Sequence, residues 1–176
     1  TSFDLKAHFL IAMPQIADAY FANSVVFIAE HNARGTLGFM INRSSNLTLS
    51  RFFSEFSIQN AAPKIAESLA HIDGPVEPER GFLLHRPQQN KAFKLSLKVN
   101  DSLAITSSRD ALEALATKTV ITDFMLMQGY TGWRSGQIED EIKQNLWLVL
   151  KADQTFISEL IFKLPIEERF NAALEK

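Results

Sequence analysis

Two uninterrupted apolar runs, Val25–Ala29 and Leu37–Ile41, dominate the hydrophobic pattern, and a short segment rich in turn formers separates them. This predicts a β-hairpin, with Gly35 supplying the backbone conformation that other residues resist. Successive side chains along a strand point to opposite faces, so a run without polar alternation implies burial on both. The hairpin is therefore expected in the middle of a sheet, and the rest of the chain must cover it on each side.

The remaining pattern supplies candidates for those covers. His8–Ala12 reads as a short strand stopped by Met13-Pro14. After Asn42, residues 43–46 break the pattern. Leu49, Phe52, Phe53 and Phe56 then fall at i, i+3, i+4 and i+7 behind a Thr48 cap, the signature of a helix face. A second helix is expected from Pro63, with Ile65, Ala66 and Leu69 buried. Gly81–Leu84 reads as a buried strand, and residues 86–91 as a polar loop. Phe93, Leu95, Leu97 and Val99 alternate with Lys94, Ser96 and Lys98, which predicts a strand with one wet face, turning at Asn100-Asp101 into Leu103–Thr106. Ser107 with Asp110 resembles a capping box ahead of a helix that buries Leu112 and Leu115. Thr122–Met127 is strand-like, and Gly129, Gly132 and Gly136 then suggest a tight turn before a helix over 137–145. Trp147–Leu150 is expected as a last strand, and Pro165 opens a closing helix with Phe170 and Leu174. Most neighbouring strands are joined too tightly for parallel crossovers. The expected class is α+β: one compact domain over residues 1–176, with a mixed, mostly antiparallel sheet flanked by helices.

Composition narrows the setting. A chain of 176 residues buries enough surface to fold as one domain without staples. It contains no cysteine, which removes disulfides, thiolate nucleophiles and cysteine metal sites and fits a reducing compartment. A net charge of −2 gives no general attraction to nucleic acid or anionic membrane. The longest early apolar stretch, Phe9–Met13, is cut by Pro14 and is too short to span a bilayer. A cytoplasmic location follows as the expectation, and Thr1 in place of methionine points to a trimmed or tagged start.

No motif dictates a chemistry. The spacing G-x-x-G-x-x-x-G over 129–136 matches neither the dinucleotide fingerprint nor the P-loop, and Glu139, Asp140 and Glu141 would repel an anion near that helix start. Ser135 lacks the preceding glycine of a nucleophile elbow. His8, His31, His71 and His85 are scattered without metal-ligand spacing, so neither metal nor cofactor is expected. Residues 80–100 hold five basic side chains, Arg80, Arg86, Lys91, Lys94 and Lys98, and no acidic one. They form either an interaction surface or the lysine guard of an edge strand. Arg43 and Arg109 flank strand ends where, with Asn42 and His85, they could clamp a small carboxylate or phosphate.

At the level of motifs the chain resembles the YqgE/AlgH family. The resemblance rests on Ile11-Ala12-Met13-Pro14, the block from Ser24 to Arg43, Gly74-Pro75-Val76, Arg80-Gly81-Phe82-Leu83-Leu84-His85, Ser108-Arg109-Asp110, and Gly129-Tyr130-Thr131-Gly132-Trp133 on through Gln137, Glu139, Glu141, Asn145 and Trp147. Gln15, Ser44 and Asp73 depart from the pattern, standing where Gly, Pro and Gly are common. The resemblance implies a bifurcated sheet with a small barrel-like part and bacterial, cytoplasmic proteins of unassigned biochemical role, one branch being described as a transcriptional regulator of alginate synthesis. It carries over no catalytic residue. The favoured function is thus a non-catalytic binding or regulatory protein whose partner is another protein or a small anionic ligand. The alternatives are an enzyme using the Asn42, Arg43, His85 and Arg109 pocket, and a DNA binder using the basic stretch. Direct nucleic-acid binding is disfavoured by the overall acidity.

Overall fold

The two apolar runs form the expected ribbons. In the computed structural model, which describes residues 4–16, 18, 21–48, 54, 69–72, 76–86, 96–100, 103–107, 113 and 124–175, strand β2 (Val25–Asn32) pairs antiparallel with β3 (Gly35–Met40). Both strands outrun their apolar cores because polar ends still pair: Glu30 opposite Leu37, His31 opposite Thr36 and Asn32 opposite Gly35. Every residue from Val25 to Ala29 is fully buried. Val25, Phe27 and Ala29 enter one core with Phe9 and Ile11, whereas Val26 and Ile28 enter another with Leu10, Trp133, Ile138 and Trp147. Burial of such side chains stabilises by about 1.5–3 kcal/mol each, which makes the hairpin the energetic centre of the fold.

Two glycines make that packing possible. Gly35 has φ +145°, and a Cβ there would stand 2.4 Å from the Trp133 carbonyl oxygen. At Gly38 a Cβ would meet Val26 Cγ1 at 2.7 Å and Ile28 Cδ1 at 3.2 Å, so the ribbons close only over a bare backbone.

Around the hairpin the sheet extends in both directions. β1 (Phe9–Ala12) lies between β2 and the edge strand β10 (Trp147–Leu150). On the other side β3 pairs with β9 (Phe124–Arg134), and beyond β9 come β6 (Val76–His85), β8 (Leu103–Thr106) and the outer strand β7 (Ser96–Asn100). β9 is where the sheet forks. Residues 131–134 pair with β3, residues 124–128 and Tyr130 pair with β6, and Met127–Gln128 also pair in parallel with β5 (Leu69–Ile72), which carries β4 (Ser44–Thr48). The architecture is α+β with a mixed, mostly antiparallel, bifurcated sheet, consistent with the small barrel-like part expected, which among the described residues is not a closed barrel.

Two expectations are corrected here. The glycines of 129–136 do not make one long turn: β9 runs through Gly129 and Gly132 because Thr131 and Gly132 pair with Gly38 and Leu37, and the turn shrinks to Ser135-Gly136, where Gly136 has φ +80°. The segment expected only to break the pattern after Asn42 forms β4 from Ser44 on, drawn in by Ser44 opposite His71 and Thr48 opposite Leu69.

Helices cover both faces. α1 (Gln137–Lys143) lies on the Val26/Ile28 side, where Ile138 is buried and Glu141 accepts hydrogen bonds from the indoles of Trp133 (3.2 Å) and Trp147 (2.9 Å) and from Gln137 (3.0 Å). The other face is covered by α2 (Gln154–Ser158), a π-helical turn over Glu159–Lys163 and α3 (Ile166–Glu175), through Ile157, Leu160, Ile161 and Ala173. The Asp153 side chain caps α2 by accepting from the Phe156 N–H at 2.8 Å. The helices expected over 49–56, from Pro63 and after Ser107 lie almost wholly outside the described residues, among which Ser54 and Glu113 are helical; Leu69, expected on the second helix, and Thr48, expected as the cap of the first, are instead strand residues that pair with each other. Among the described residues no helix is long and apolar enough to cross a membrane.

Candidate functional site

Of the residues proposed for an anion pocket, Asn42 and Arg43 lie just beyond β3 and His85 at the end of β6. Asn42 braces the start of β2, its Oδ1 accepting from the Val25 N–H at 2.9 Å and its Nδ2 donating to the Asn23 carbonyl at 2.8 Å. Arg43 donates from Nη2 to the Ala22 carbonyl at 2.8 Å. Both side chains thereby fasten the 22–25 segment to the end of β3. His85 sits at the end of β6, on the far side of β9 in the sheet order. Arg109 lies outside the described residues, as do Lys91 and Lys94. Of the basic stretch, Arg80 lies on β6 with its side chain outside the described ones, Lys98 is exposed on the outermost strand β7, and Arg86 follows His85 directly. The position of Lys98 fits the guard of a strand that is at the sheet edge among the described residues.

His85 is almost completely buried and fully engaged. The Arg86 carbonyl can only accept, so His85 Nδ1 donates to it at 2.8 Å, and Nε2 accepts from the Thr106 hydroxyl at 2.7 Å. Burial pushes the imidazole below its ordinary pKa, against a smaller upward pull from the hydrogen bond to the Arg86 backbone. A neutral ring with both nitrogens committed orients the backbone at Arg86; it is not poised to move a proton. His31 is committed in the same way: Nδ1 accepts from the Leu5 N–H at 3.1 Å and Nε2 donates to Glu139 at 3.1 Å.

The Arg86 side chain projects from this anchor into a cleft of about 520 Å³ whose other wall is α2 and the π turn, through Gln154, Thr155, Ser158, Glu159 and Lys163. Its Nη2 donates to Ser158 Oγ, and its guanidinium carbon lies 5.5 Å from the centre of the Phe162 ring. A planar cation stacked and hydrogen-bonded in this way has lost part of its rotamer freedom before any ligand arrives. The wall opposite is unusual. The Leu164 N–H bonds the Glu159 carbonyl at 3.0 Å, five residues back, and such π turns are rare and frequent at functional sites.

The sequence reading missed this wall and one further cation. Arg169, on α3, is 5% exposed; its Nε donates to the Leu164 carbonyl at 3.1 Å, and its Nη1 donates to the Ile41 carbonyl and to Met125 Sδ. Burial lowers its pKa to about 10, partly offset by Glu167, so it stays charged at neutral pH. It ties the end of the π turn to the root of the central hairpin. The spacing of Phe156, Ile157, Leu160 and Ile161 behind Asp153 was the signal available for α2. Among the described residues no group of three His, Asp or Glu could hold a metal.

Residues 9–176 match the AlgH-like family profile. The chain belongs to the AlgH-like family. A UPF0301 protein of Azoarcus sp. strain BH72 is 42% identical over 175 residues, 99% of this chain and 90% of that protein. Another from Vibrio parahaemolyticus is 38% identical across 98% of this chain and 91% of its own length. The solution structure of the AlgH protein from Pseudomonas aeruginosa superposes with a TM-score of 0.84 at 36% identity, covering 99% of this chain and 89% of that one. Protein DIP2367 from Corynebacterium diphtheriae shares the fold at a TM-score of 0.67 and 19% identity, over 89% of this chain and 81% of that one. The α+β fold with a bifurcated sheet expected of an AlgH-like protein is thus the fold observed.

Proposed function

We propose that this AlgH-like chain is a cytoplasmic binding protein of regulatory type, and that its ligand presents an anionic group to the cleft beside Arg86. The observation that supports this reading is the held guanidinium: Arg86 is stacked on Phe162 and fixed by Ser158, Lys163 stands on the same cleft, and among the described residues Glu159 is the one acid on its wall. Among the described residues the cleft side chains sum to a single positive charge, which suits a monoanionic or dianionic group of small size. Of the residues expected to meet a ligand, this reading uses Arg86 directly and His85 as its anchor, with Asn42 and Arg43 acting as braces. A regulatory role agrees with the resemblance to the branch described as a regulator, and the cytoplasm with the lack of cysteine. Nuclear magnetic resonance titration with a panel of sugar phosphates, nucleoside phosphates and dicarboxylates tests it. One class should shift the amides of 154–163 saturably, and Arg86→Gln should weaken that binding at least tenfold. If none of the panel moves these amides at millimolar concentration, the reading fails.

A further inference from the structure

A second cavity, of about 280 Å³, lies at the tip of the central hairpin, and Glu30, Asn32, Arg34, Gly35, Leu37 and Tyr130 are among its lining. Its shape follows from the ladder. Residues directly opposite one another in antiparallel strands share a face, so Glu30, Leu37 and Gly132 form one row across three strands, and Asn32, Gly35 and Arg134 form the next. Each row contains a glycine, which leaves a trough where side chains would stand. A Cβ on Gly132 would meet only Tyr130 Cε1 at 3.8 Å and the Thr36 carbonyl at 3.9 Å, ordinary contacts bordering open space.

The charges on the rim are uncommitted. Glu30, Arg34 and Arg134 are exposed, and among the described residues none of their charged groups has a hydrogen-bond or ion-pair partner; Arg34 and Arg134 bond only through their backbone N–H groups, to Asn32 and Gln137. Glu30 belongs to one row, Arg134 to the next, about 7 Å along the strands by backbone position, and Arg34, on the cavity lining, to the turn that joins β2 to β3. A simple anion in the trough would meet Glu30 unopposed, and a simple amine would meet two guanidiniums. A molecule carrying an ammonium and a carboxylate on the same carbon satisfies both ends with one hydrogen bond of about 2.8 Å on each side. Between them the floor is apolar, Leu37 and Tyr130 packing on the core below. The volume lies just under the roughly 300–1,000 Å³ of drug-sized pockets, which limits the occupant to a small molecule.

We infer that this trough binds a free α-amino acid with an apolar or aromatic side chain, its ammonium on Glu30, its carboxylate on Arg34 and Arg134, and its side chain over Leu37 beside the Tyr130 ring. The inference is independent of the cleft at Arg86. It is tested by following the amides of Leu37 and Gly132 during titration with L-phenylalanine and L-leucine, and with N-acetyl-L-phenylalanine and L-phenylalaninamide, each of which lacks one charge. At least one free amino acid should shift these amides saturably, and for L-phenylalanine either capped form should bind at least tenfold more weakly. Glu30→Gln and Arg34→Gln, on exposed side chains whose charged groups have no partner among the described residues, should each weaken binding to a similar extent. Gly132→Val, which fills the trough, should abolish it while the melting temperature stays within a few degrees of the parent. Absence of saturable shifts with both amino acids, equal binding of the capped forms, or a Gly132→Val protein that binds like the parent would each overturn the inference.

Discussion

At the scale of single residues, His85 shows how burial becomes a measurable property. Its folded-state pKa lies below the ordinary 6.5 because the interior disfavours the imidazolium. The unfolded chain therefore binds a proton that the folded one refuses, and stability falls as pH drops from 6.5 towards the lowered folded value, whereas above 6.5 the contribution is fully present. Replacing His85 with Asn, which keeps a donor and an acceptor but does not titrate, should flatten that part of the profile. The measurement is melting temperature against pH for both proteins: the gap between them should narrow from pH 7.5 to pH 5, and parallel curves would show that His85 does not titrate differently on folding. Nothing in the string around residue 85 announces this, because the burial and the Thr106 partner come from a strand twenty-one positions away.

Elements were legible in proportion to how local their cause is. The hairpin over 25–41 could be read because its two-faced burial is written in consecutive residues. β9 could not, because Gly129 and Gly132 look like punctuation until β3 is beside them. The cleft was half legible: Arg86 stood out in the basic stretch, but Ser158 is 72 positions further along the chain. The same distinction separates two glycine substitutions. Gly38→Ala should destabilise by about 1–3 kcal/mol through overpacking against Val26 and Ile28. Gly136→Ala has nothing within 4 Å and should cost only the left-handed backbone penalty, about 1–2 kcal/mol, part of which Asn would recover. Urea denaturation of Gly38→Ala, Gly136→Ala and Gly136→Asn separates the two causes. Equal losses for Asn and Ala at 136 would show that backbone conformation is not what Gly136 supplies, and an undiminished Gly38→Ala protein would mean that the ribbons are not closed as tightly as drawn.

For the molecule as a whole, the fork at β9 and the position of the hairpin decide where stability is concentrated. β2 and β3 have neighbours on both sides and cores on both faces, and Arg169 adds a third attachment by joining Ile41 to the end of the π turn. Among the described residues β7 has a single partner, β8, and it carries an exposed lysine. Amide exchange through local opening samples these differences directly, since a strand held on one side opens without disturbing the rest, while the centre opens only when both layers come apart. Hydrogen exchange followed by mass spectrometry should therefore show peptides from 25–41 exchanging last, at the rate of global unfolding, and peptides from 96–100 exchanging earlier. Peptides from 154–163 should fall between them, because α2 and the π turn bury Ile157, Leu160 and Ile161 yet meet the sheet on one side only. If 96–100 were protected as long as 25–41, the outer strand would have to be covered by another part of the chain or by a second molecule, and the order of strands would no longer rank their stability.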